Sequence, residues 1–147
     1  MQPICISFDL CRSTKGSRNL RSGNEMVNAN DAMHFKVKGD IVAHLRNMSR
    51  QKAEECIEEL DMERPIFTRE NPCHIFIYVC PPSKRRTDAP NWYPTIKPLI
   101  DGLTDANVLE DDNDEIITSL TFIPGVKTVN KKYQIIMELR PGLLVEM

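Results

Sequence analysis

The sequence has no Cys-x-x-Cys pair, and no apolar run in it approaches the length needed to span a membrane. Its cysteines are odd in number and lack paired spacing, which argues against both a zinc site and a disulfide framework. Free thiols without a recognisable signal peptide are typical of a reducing compartment. We therefore expect a soluble cytoplasmic protein without a membrane partner. The five cysteines are Cys5, Cys11, Cys56, Cys73 and Cys80.

An excess of positive charge is also lacking. The formal charge is −2 over 147 residues, so no overall basic field indicates a nucleic-acid partner. The charges are nevertheless segregated: residues 1–52 contain nine lysines and arginines but four acidic residues, whereas residues 100–115 contain seven acidic residues and no basic one. Such segregation is typical of a protein that meets phosphate on one surface and holds cations on another. It also occurs in domains that do neither.

Hydrophobic patterns predict a single α+β domain over residues 1–147. We expect one mixed sheet packed against two main helices on one face, with the last two strands joined as a hairpin by the turn-rich residues 125–132. A basic loop over about residues 11–31 is long enough to be functional or mobile. The predicted elements are a strand at Ile4–Leu10, a helix from about Met33 or Asp40 to Leu60 capped by Asn30 or Asp31, and strands at His74–Cys80, Ile116–Pro124 and Lys132–Pro141.

Two prolines, Pro94 and Pro98, indicate where a second helix begins, because proline is tolerated only in the first turn of a helix. The helix should begin near Thr95, a good capping residue. It should end around Ala106–Asn107, since asparagine tolerates the left-handed conformation that ends helices. Its apolar face consists of Ile96, Leu99, Ile100 and Leu103.

Carboxylates flank this helix on both sides. Asp88 follows the strand at residues 74–80, and Asp111 and Asp112 precede the next strand. If those strands are neighbours, both positions emerge at one edge of the sheet, and Lys97, which can touch Asp101 four residues on, projects between them. Converging carboxylates favour a bound cation, and oxygen ligands suit Mg²⁺ or Mn²⁺, ions that activate water for phosphodiester hydrolysis. The cations placed to hold a phosphate backbone are Lys84, Arg85 and Arg86.

The pattern D-x-x-N-(x)5-K-x-x-x-D-G-L-x-D-A-x-V-L-x-D-D runs from Asp88 to Asp112. It resembles the signature of the RusA family of Holliday-junction resolvases, in particular its phage and prophage members. A weaker similarity covers Asn28–Arg46, which is similar to the lysine-rich entry of the first helix in phage relatives. The resemblance implies a homodimeric endodeoxyribonuclease of recombination and repair that cuts four-way DNA junctions with Mg²⁺ or Mn²⁺. It also implies location in a bacterial or phage-infected cell.

The resemblance assigns roles to single residues. It implies that Asp88, Lys97 and Asp112 are catalytic, with Lys97 as the catalytic lysine. It further implies that Asp88, Asp111 and Asp112 bind the metal ion. With the upstream cations and the basic entry of the first helix, the predicted DNA-binding residues are Lys84, Arg85, Arg86, Asn91, His34, Lys36 and Lys38.

The chain departs from the family pattern at Pro90, where the family has a second aspartate. Proline offers no side-chain ligand, so Asn91, Asp101 or Asp111 has to complete the coordination, or the metal ion binds weakly. One alternative function is therefore a junction-binding protein with weak or no cleavage activity. Another is an unrelated α+β interaction domain in which residues 110–115 form an ordinary solvated turn.

Aromatic and histidine side chains near these motifs need separate interpretations. Trp92 and Tyr93 could stack on an unpaired base at a junction centre or pack in the core. His44 lies within a helical pattern and His74 in an apolar strand, and we interpret both as structural residues.

Overall fold

A mixed sheet with helices on one face is formed by the residues that the computed structural model describes, 2–13, 18–84 and 88–142. Its elements are β1 (Ile4–Leu10), α1 (Phe35–Leu60), β2 (Cys73–Cys80), a short 3₁₀ helix (Ala89–Trp92), α2 (Tyr93–Asp105), β3 (Ile117–Pro124) and β4 (Tyr133–Pro141). Alternate residues of β1 are buried and exposed, so one face of this strand is covered. The predicted α+β class is confirmed. No helix in these ranges is long and apolar enough to cross a membrane.

The strand order is β1–β4–β2–β3. Since β4 is antiparallel to both β1 and β2, and β2 is parallel to β3, the strands β1, β2 and β3 run in one direction. The predicted hairpin of β3 and β4 is wrong, because β2 lies between them. The connection at residues 125–132 passes over the end of β2, where the N–H of Thr128 donates to the carbonyl of Pro81 at 2.9 Å. The composition of residues 125–132 indicates that the chain reverses direction there. It does not indicate that β2 lies between the two strands that this connection joins.

The first helix, α1, begins directly after His34, which is its N-cap. The Nδ1 atom of His34 accepts a hydrogen bond from the backbone N–H two residues on, at 3.2 Å. The predicted caps, Asn30 and Asp31, are wrong, because the Asp31 carboxylate instead accepts hydrogen bonds from the guanidinium of Arg12. The helix ends at the predicted residue, and its buried stripe consists of Ile41, Leu45, Ser49, Ala53 and Ile57.

The second helix, α2, begins at Tyr93, two residues before the predicted start, and Pro98 lies inside it. The 3₁₀ helix directly before it already provides a helical turn, so Thr95 is not the cap. Its hydroxyl accepts a hydrogen bond from the N–H of Val27 and donates one to the carbonyl of Val27, both at 2.8 Å. The predicted end is confirmed, since Asn107 has a φ of 60°. The predicted apolar face is buried and consists of Ile96, Leu99, Ile100 and Leu103.

The two helices meet at Gly102 of α2. A Cβ atom on Gly102 would lie 2.5 Å from the carbonyl oxygen of Arg46 and 2.6 Å from the Cβ of Ser49. The hydroxyl of Ser49 is buried where the helices approach closely, and it donates a hydrogen bond to the carbonyl of Leu99 at 2.6 Å. The buried hydroxyl therefore has a hydrogen-bond partner. This contact holds α2, and with it Lys97, in position.

Candidate functional site

Lys97 connects α2 to the acidic loop that follows it. Its Nζ atom donates to the Oδ1 atom of Asp101 at 2.7 Å and also to the carboxylate of Asp112. The contact with Asp101 is the predicted pair of residues one helical turn apart. The contact with Asp112 crosses 15 positions of sequence. It brings together two of the three residues that the sequence predicts to be catalytic.

Backbone hydrogen bonds turn the chain after α2 back toward Lys97. The N–H of Val108 donates to the carbonyl of Leu103 at 3.0 Å, and the N–H of Glu110 donates to the carbonyl of Phe67, also at 3.0 Å. The Oδ1 atom of Asp111 then accepts a hydrogen bond from the N–H of the next residue at 2.7 Å. The acidic residues 110–115 are exposed. These bonds give the loop a defined course beside the helix.

A cleft of about 230 Å³ opens beside the cluster formed by Lys97, Asp101 and Asp112. It is smaller than the ~300–1,000 Å³ pockets that enclose drug-sized ligands, and it combines charged with apolar walls. Tyr93 at its rim is 43% exposed, and the edge of the ring packs against Phe122 at a centroid distance of 6.4 Å. The cleft is therefore open to solvent next to the charged groups. Its lining consists of Tyr93, Lys97, Ile100, Asp112, Asp114, Ile117 and Leu120.

The charges of the cluster stabilise one another. Partial burial lowers the pKa of the Lys97 ammonium, but hydrogen bonds to Asp101 and Asp112 and their negative charges outweigh that effect and hold the pKa well above its ordinary value. The hydrogen bond from Lys97 lowers the pKa of Asp112, and the charge of Lys97 adds to this effect against partial burial. Lys97 and Asp112 are therefore both ionised at neutral pH.

Asp88 lies on the segment that precedes α2, whereas Asp112 lies on the loop that follows it. The neighbour relation that the prediction required is present, because β2 pairs with β3. The two strands are parallel, however, so the end of β2 and the start of β3 lie at opposite ends of the pair. The expectation that Asp88 and Asp112 emerge at one edge of the sheet is therefore wrong. Asp88 stands directly before the 3₁₀ helix, where its carbonyl accepts a hydrogen bond from the N–H of Asn91 at 2.9 Å.

The carboxylate oxygen atoms around Lys97 are ligands of the kind that a hard divalent ion binds, because Mg²⁺ and Mn²⁺ prefer oxygen ligands. Asp101 and Asp112 already share one cation, the ammonium of Lys97. Asp111 and Asp114 stand in the same acidic loop. In the ranges 2–13, 18–84 and 88–142, no three His, Cys, Asp or Glu side chains are grouped to hold a metal ion. Lys97, rather than a third carboxylate, completes the present cluster.

The predicted DNA-binding residues lie on three segments. His34, Lys36 and Lys38 are exposed at the start of α1, and Lys84 is exposed after β2. Asn91 is partly buried in the 3₁₀ helix, and its carbonyl accepts a hydrogen bond from a backbone N–H of the loop before α1 at 2.8 Å. The remaining two predicted residues, Arg85 and Arg86, lie outside the described residues.

The aromatic pair beside Asp88 separates into a core residue and a surface residue. Trp92 is 6% exposed and packs against Tyr133 at a centroid distance of 5.1 Å. Tyr93 is exposed at the cleft. The two histidines interpreted as structural have partners within the fold: His44 contacts a carboxylate and His74 a serine hydroxyl, through ring nitrogens at 2.7 and 2.6 Å.

Sequence reasoning missed the group that holds the loop before α1 against the start of α2. Arg12 donates to both carboxylate oxygens of Asp31 at 2.7 and 2.6 Å, and Arg18 donates to the same carboxylate at 3.2 Å. The guanidinium of Arg12 also lies over the ring of Trp92, 5.1 Å from its centroid. The described part of the predicted basic loop is thus tied to the residues that precede Lys97. No local pattern signals these pairs, because they join distant segments.

No protein-family model matches the chain, and a search of curated proteins returns no match either.

Proposed function

We propose that the protein is a divalent-metal-dependent endodeoxyribonuclease that cuts four-way or other branched DNA junctions, as the resemblance to the RusA family implies. The observation that carries the proposal is the approach of Asp112 to Lys97 across the turn that follows α2. Both residues keep their places in the family pattern. The proposal includes a homodimer in the cytoplasm of a bacterial or phage-infected cell, with Mg²⁺ or Mn²⁺ as cofactor.

In this proposal Lys97 is the chain's own source of positive charge at the cleft. Asp101 and Asp112 keep its ammonium charged and oriented. A phosphate group entering the cleft would accept a hydrogen bond from Nζ, and this bond strengthens as negative charge develops on the phosphate oxygens. As the family pattern assigns them, Asp112, Asp111 and Asp88 would hold the metal ion, which would supply an activated water.

The test is cleavage of a synthetic four-way junction with Mg²⁺ or Mn²⁺ by wild type, Asp112→Asn and Asp61→Asn. Asp61 is a matched control, because it carries the same charge outside the cleft and its φ of 50° is tolerated by asparagine. We expect Asp112→Asn to lower the cleavage rate by about a hundredfold or more and Asp61→Asn to leave it unchanged. Equal cleavage by all three proteins would exclude the assigned site. The absence of metal-dependent cleavage by wild type would exclude the nuclease.

One observation favours the alternative, a junction-binding protein that cuts weakly or not at all. Pro90 stands where the family pattern has its second aspartate, and it lies exposed in the 3₁₀ helix. A metal ion at Asp112 would also have to compete with the ammonium of Lys97. Tight binding to four-way junctions over linear duplex, with no product at any Mg²⁺ or Mn²⁺ concentration, would support this alternative.

A further inference from the structure

Three connections meet at one end of the sheet. Because β1, β2 and β3 run in the same direction, the segments that follow them leave from the same end. α1 also starts there, since it runs antiparallel to β1: Lys52 donates to the carbonyl of Ser7, while Cys56, one turn later, shares a cleft with Cys5. Lys97 is the fifth residue of α2, which starts at this end too.

The lysines and arginines of the described residues divide into two groups. One group is engaged: Arg12 and Arg18, in the segment after β1, and Arg46, Arg50 and Arg69, in other parts of the fold, each pair with a carboxylate. A second group forms no ion pair and no side-chain hydrogen bond within residues 2–13, 18–84 and 88–142. Every member of that group stands either in a segment that follows one of the three parallel strands or in the first turn of α1. Its members are Arg21, Lys36, Lys38, Lys84, Lys127, Lys131 and Lys132.

We propose that the connection between β3 and β4 binds the phosphate backbone of DNA through Lys127, Lys131 and Lys132. This proposal rests on the proposed function and extends it, because sequence reasoning placed DNA contacts on α1 and after β2 but none on this connection. The three lysines are exposed. Asp9 lines the same cleft as Lys127, but no ion pair joins them.

The connection has a defined shape before any ligand binds. The N–H of Thr128 donates to Pro81 at 2.9 Å, and its hydroxyl donates to the carbonyl of Lys132 at 2.6 Å. The side chain of Asn130 accepts a hydrogen bond from the N–H of Lys132 at 3.1 Å. A preformed loop loses little backbone freedom when phosphate binds, and the bond to Pro81 ties it to the segment that carries Lys84.

The distribution of these cations favours a polyanion over a membrane surface. Val126 and Val129 are 83% and 101% exposed, but they are two separate side chains and do not form a broad apolar face that could insert into lipid. The unpaired cations instead spread over the segments after all three parallel strands. An extended row of phosphates can contact cations that are distributed over several segments, and each phosphate that is neutralised releases a counterion.

The experiment compares Lys127→Gln/Lys132→Gln with Arg50→Gln/Arg140→Gln, a control that changes net charge equally and alters one half-buried and one exposed arginine in other parts of the fold. Binding to a short DNA duplex and to a four-way junction is measured by fluorescence anisotropy over a series of KCl concentrations. We expect the lysine variant to bind about tenfold more weakly, with a salt dependence reduced by about 2 in log–log slope. The control should stay within about twofold of wild type, because both of its arginines already pair with carboxylates away from the connection.

The outcomes separate this proposal from the proposed function. If wild type binds DNA and the lysine variant shows the same affinity and slope, the DNA-binding role of the connection is overturned while the nuclease proposal stands. If wild type binds no DNA, both are overturned. The same proteins are tested for co-sedimentation with vesicles that contain phosphatidylserine. Vesicle binding that the lysine variant loses, without a change in DNA affinity, would overturn the proposal in favour of a membrane surface.

Discussion

The ammonium of Lys97 on α2 donates to the carboxylate of Asp112 on the loop that follows the helix. Because Asp101 accepts from the same ammonium, one lysine joins a residue of the helix to a residue of the loop. The acidic run at residues 110–115 is therefore more than a solvated turn at this point. One of its carboxylates is committed to a cation that borders an open cleft.

Replacing Lys97 by glutamine should move the titration of Asp112 and, under the proposed function, abolish junction cleavage. The hydrogen bond and charge of Lys97 lower the pKa of Asp112, so this pKa should rise toward its ordinary value of 3.8. The measurement is a pH titration of the Asp112 carboxyl carbon by NMR, with junction cleavage assayed in parallel. Lys52→Gln, which removes an exposed lysine of α1 whose ammonium donates to the carbonyl of Ser7, serves as the control. An unchanged Asp112 titration in Lys97→Gln would contradict the contact.

Gly102→Ala should destabilise the protein by about 1–3 kcal/mol. The added Cβ would meet the backbone of α1 at 2.5 Å, and backbone cannot move aside as a flexible side chain can. Gly39→Ala in α1 is the matched control, since no atom lies within 4 Å of a Cβ placed there. That variant should stabilise the protein by about 0.5–1 kcal/mol, because alanine favours helix over glycine. Urea unfolding of both variants measures the difference, and equal effects would contradict the close contact of α1 and α2.

Asp31→Asn should lower the free energy of unfolding by about 3 kcal/mol near neutral pH, because it leaves the largely buried guanidinium of Arg12 without its partner. Burial raises the pKa of Asp31, but hydrogen bonds from Arg12 and a backbone N–H, with the charges of Arg12 and Arg18, hold it below its ordinary value of 3.8. A group with a lowered folded pKa stabilises the protein above its unfolded pKa, and this contribution is lost as the pH falls through the folded pKa.

The difference between wild type and Asp31→Asn should accordingly be complete above about pH 5 and shrink as the pH falls below 3.8. Urea unfolding at pH 7 and at pH 3 measures it. Asp9→Asn, at an exposed position of β1, should show little difference at either pH. A difference between wild type and Asp31→Asn that is the same at both pH values would contradict the ion pair.

Pro90→Asp should raise metal-dependent cleavage of four-way junctions if the second carboxylate of the family pattern is what the chain lacks. The position is exposed in the 3₁₀ helix, so an aspartate there is not forced into the core. Pro90→Asn is the matched control, because it has the same shape without the charge. Greater cleavage by the aspartate variant alone supports a carboxylate effect. Equal gains in both variants would point to the loss of proline instead.

The part of the fold that local chemistry determines could be predicted from the sequence. The apolar face of α2 follows from side chains spaced at helical intervals, and its end follows from the left-handed tolerance of Asn107. The pairing of the strands could not be predicted. Residues 125–132 look like a hairpin turn, and only the sheet itself reveals that β2 lies between β3 and β4.

The candidate site divides in the same way. The pair of Lys97 and Asp101 follows from a separation of four residues on a helix, whereas the contact of Lys97 with Asp112 depends on how the loop folds back. The parallel pairing of β2 and β3 removed the argument that placed Asp88 and Asp112 at one edge. The ion pair of Arg12 and Asp31 crosses 19 positions of sequence and has no local signature.

The most direct test of a metal site beside Lys97 is Mn²⁺ binding at Asp112, measured by isothermal titration calorimetry on wild type, Asp112→Asn and Asp61→Asn. We predict saturable binding to wild type and Asp61→Asn, and binding weakened by at least about tenfold in Asp112→Asn through loss of a ligand charge. Equal affinity of all three proteins for Mn²⁺, or no binding by wild type, would contradict a metal site beside Lys97.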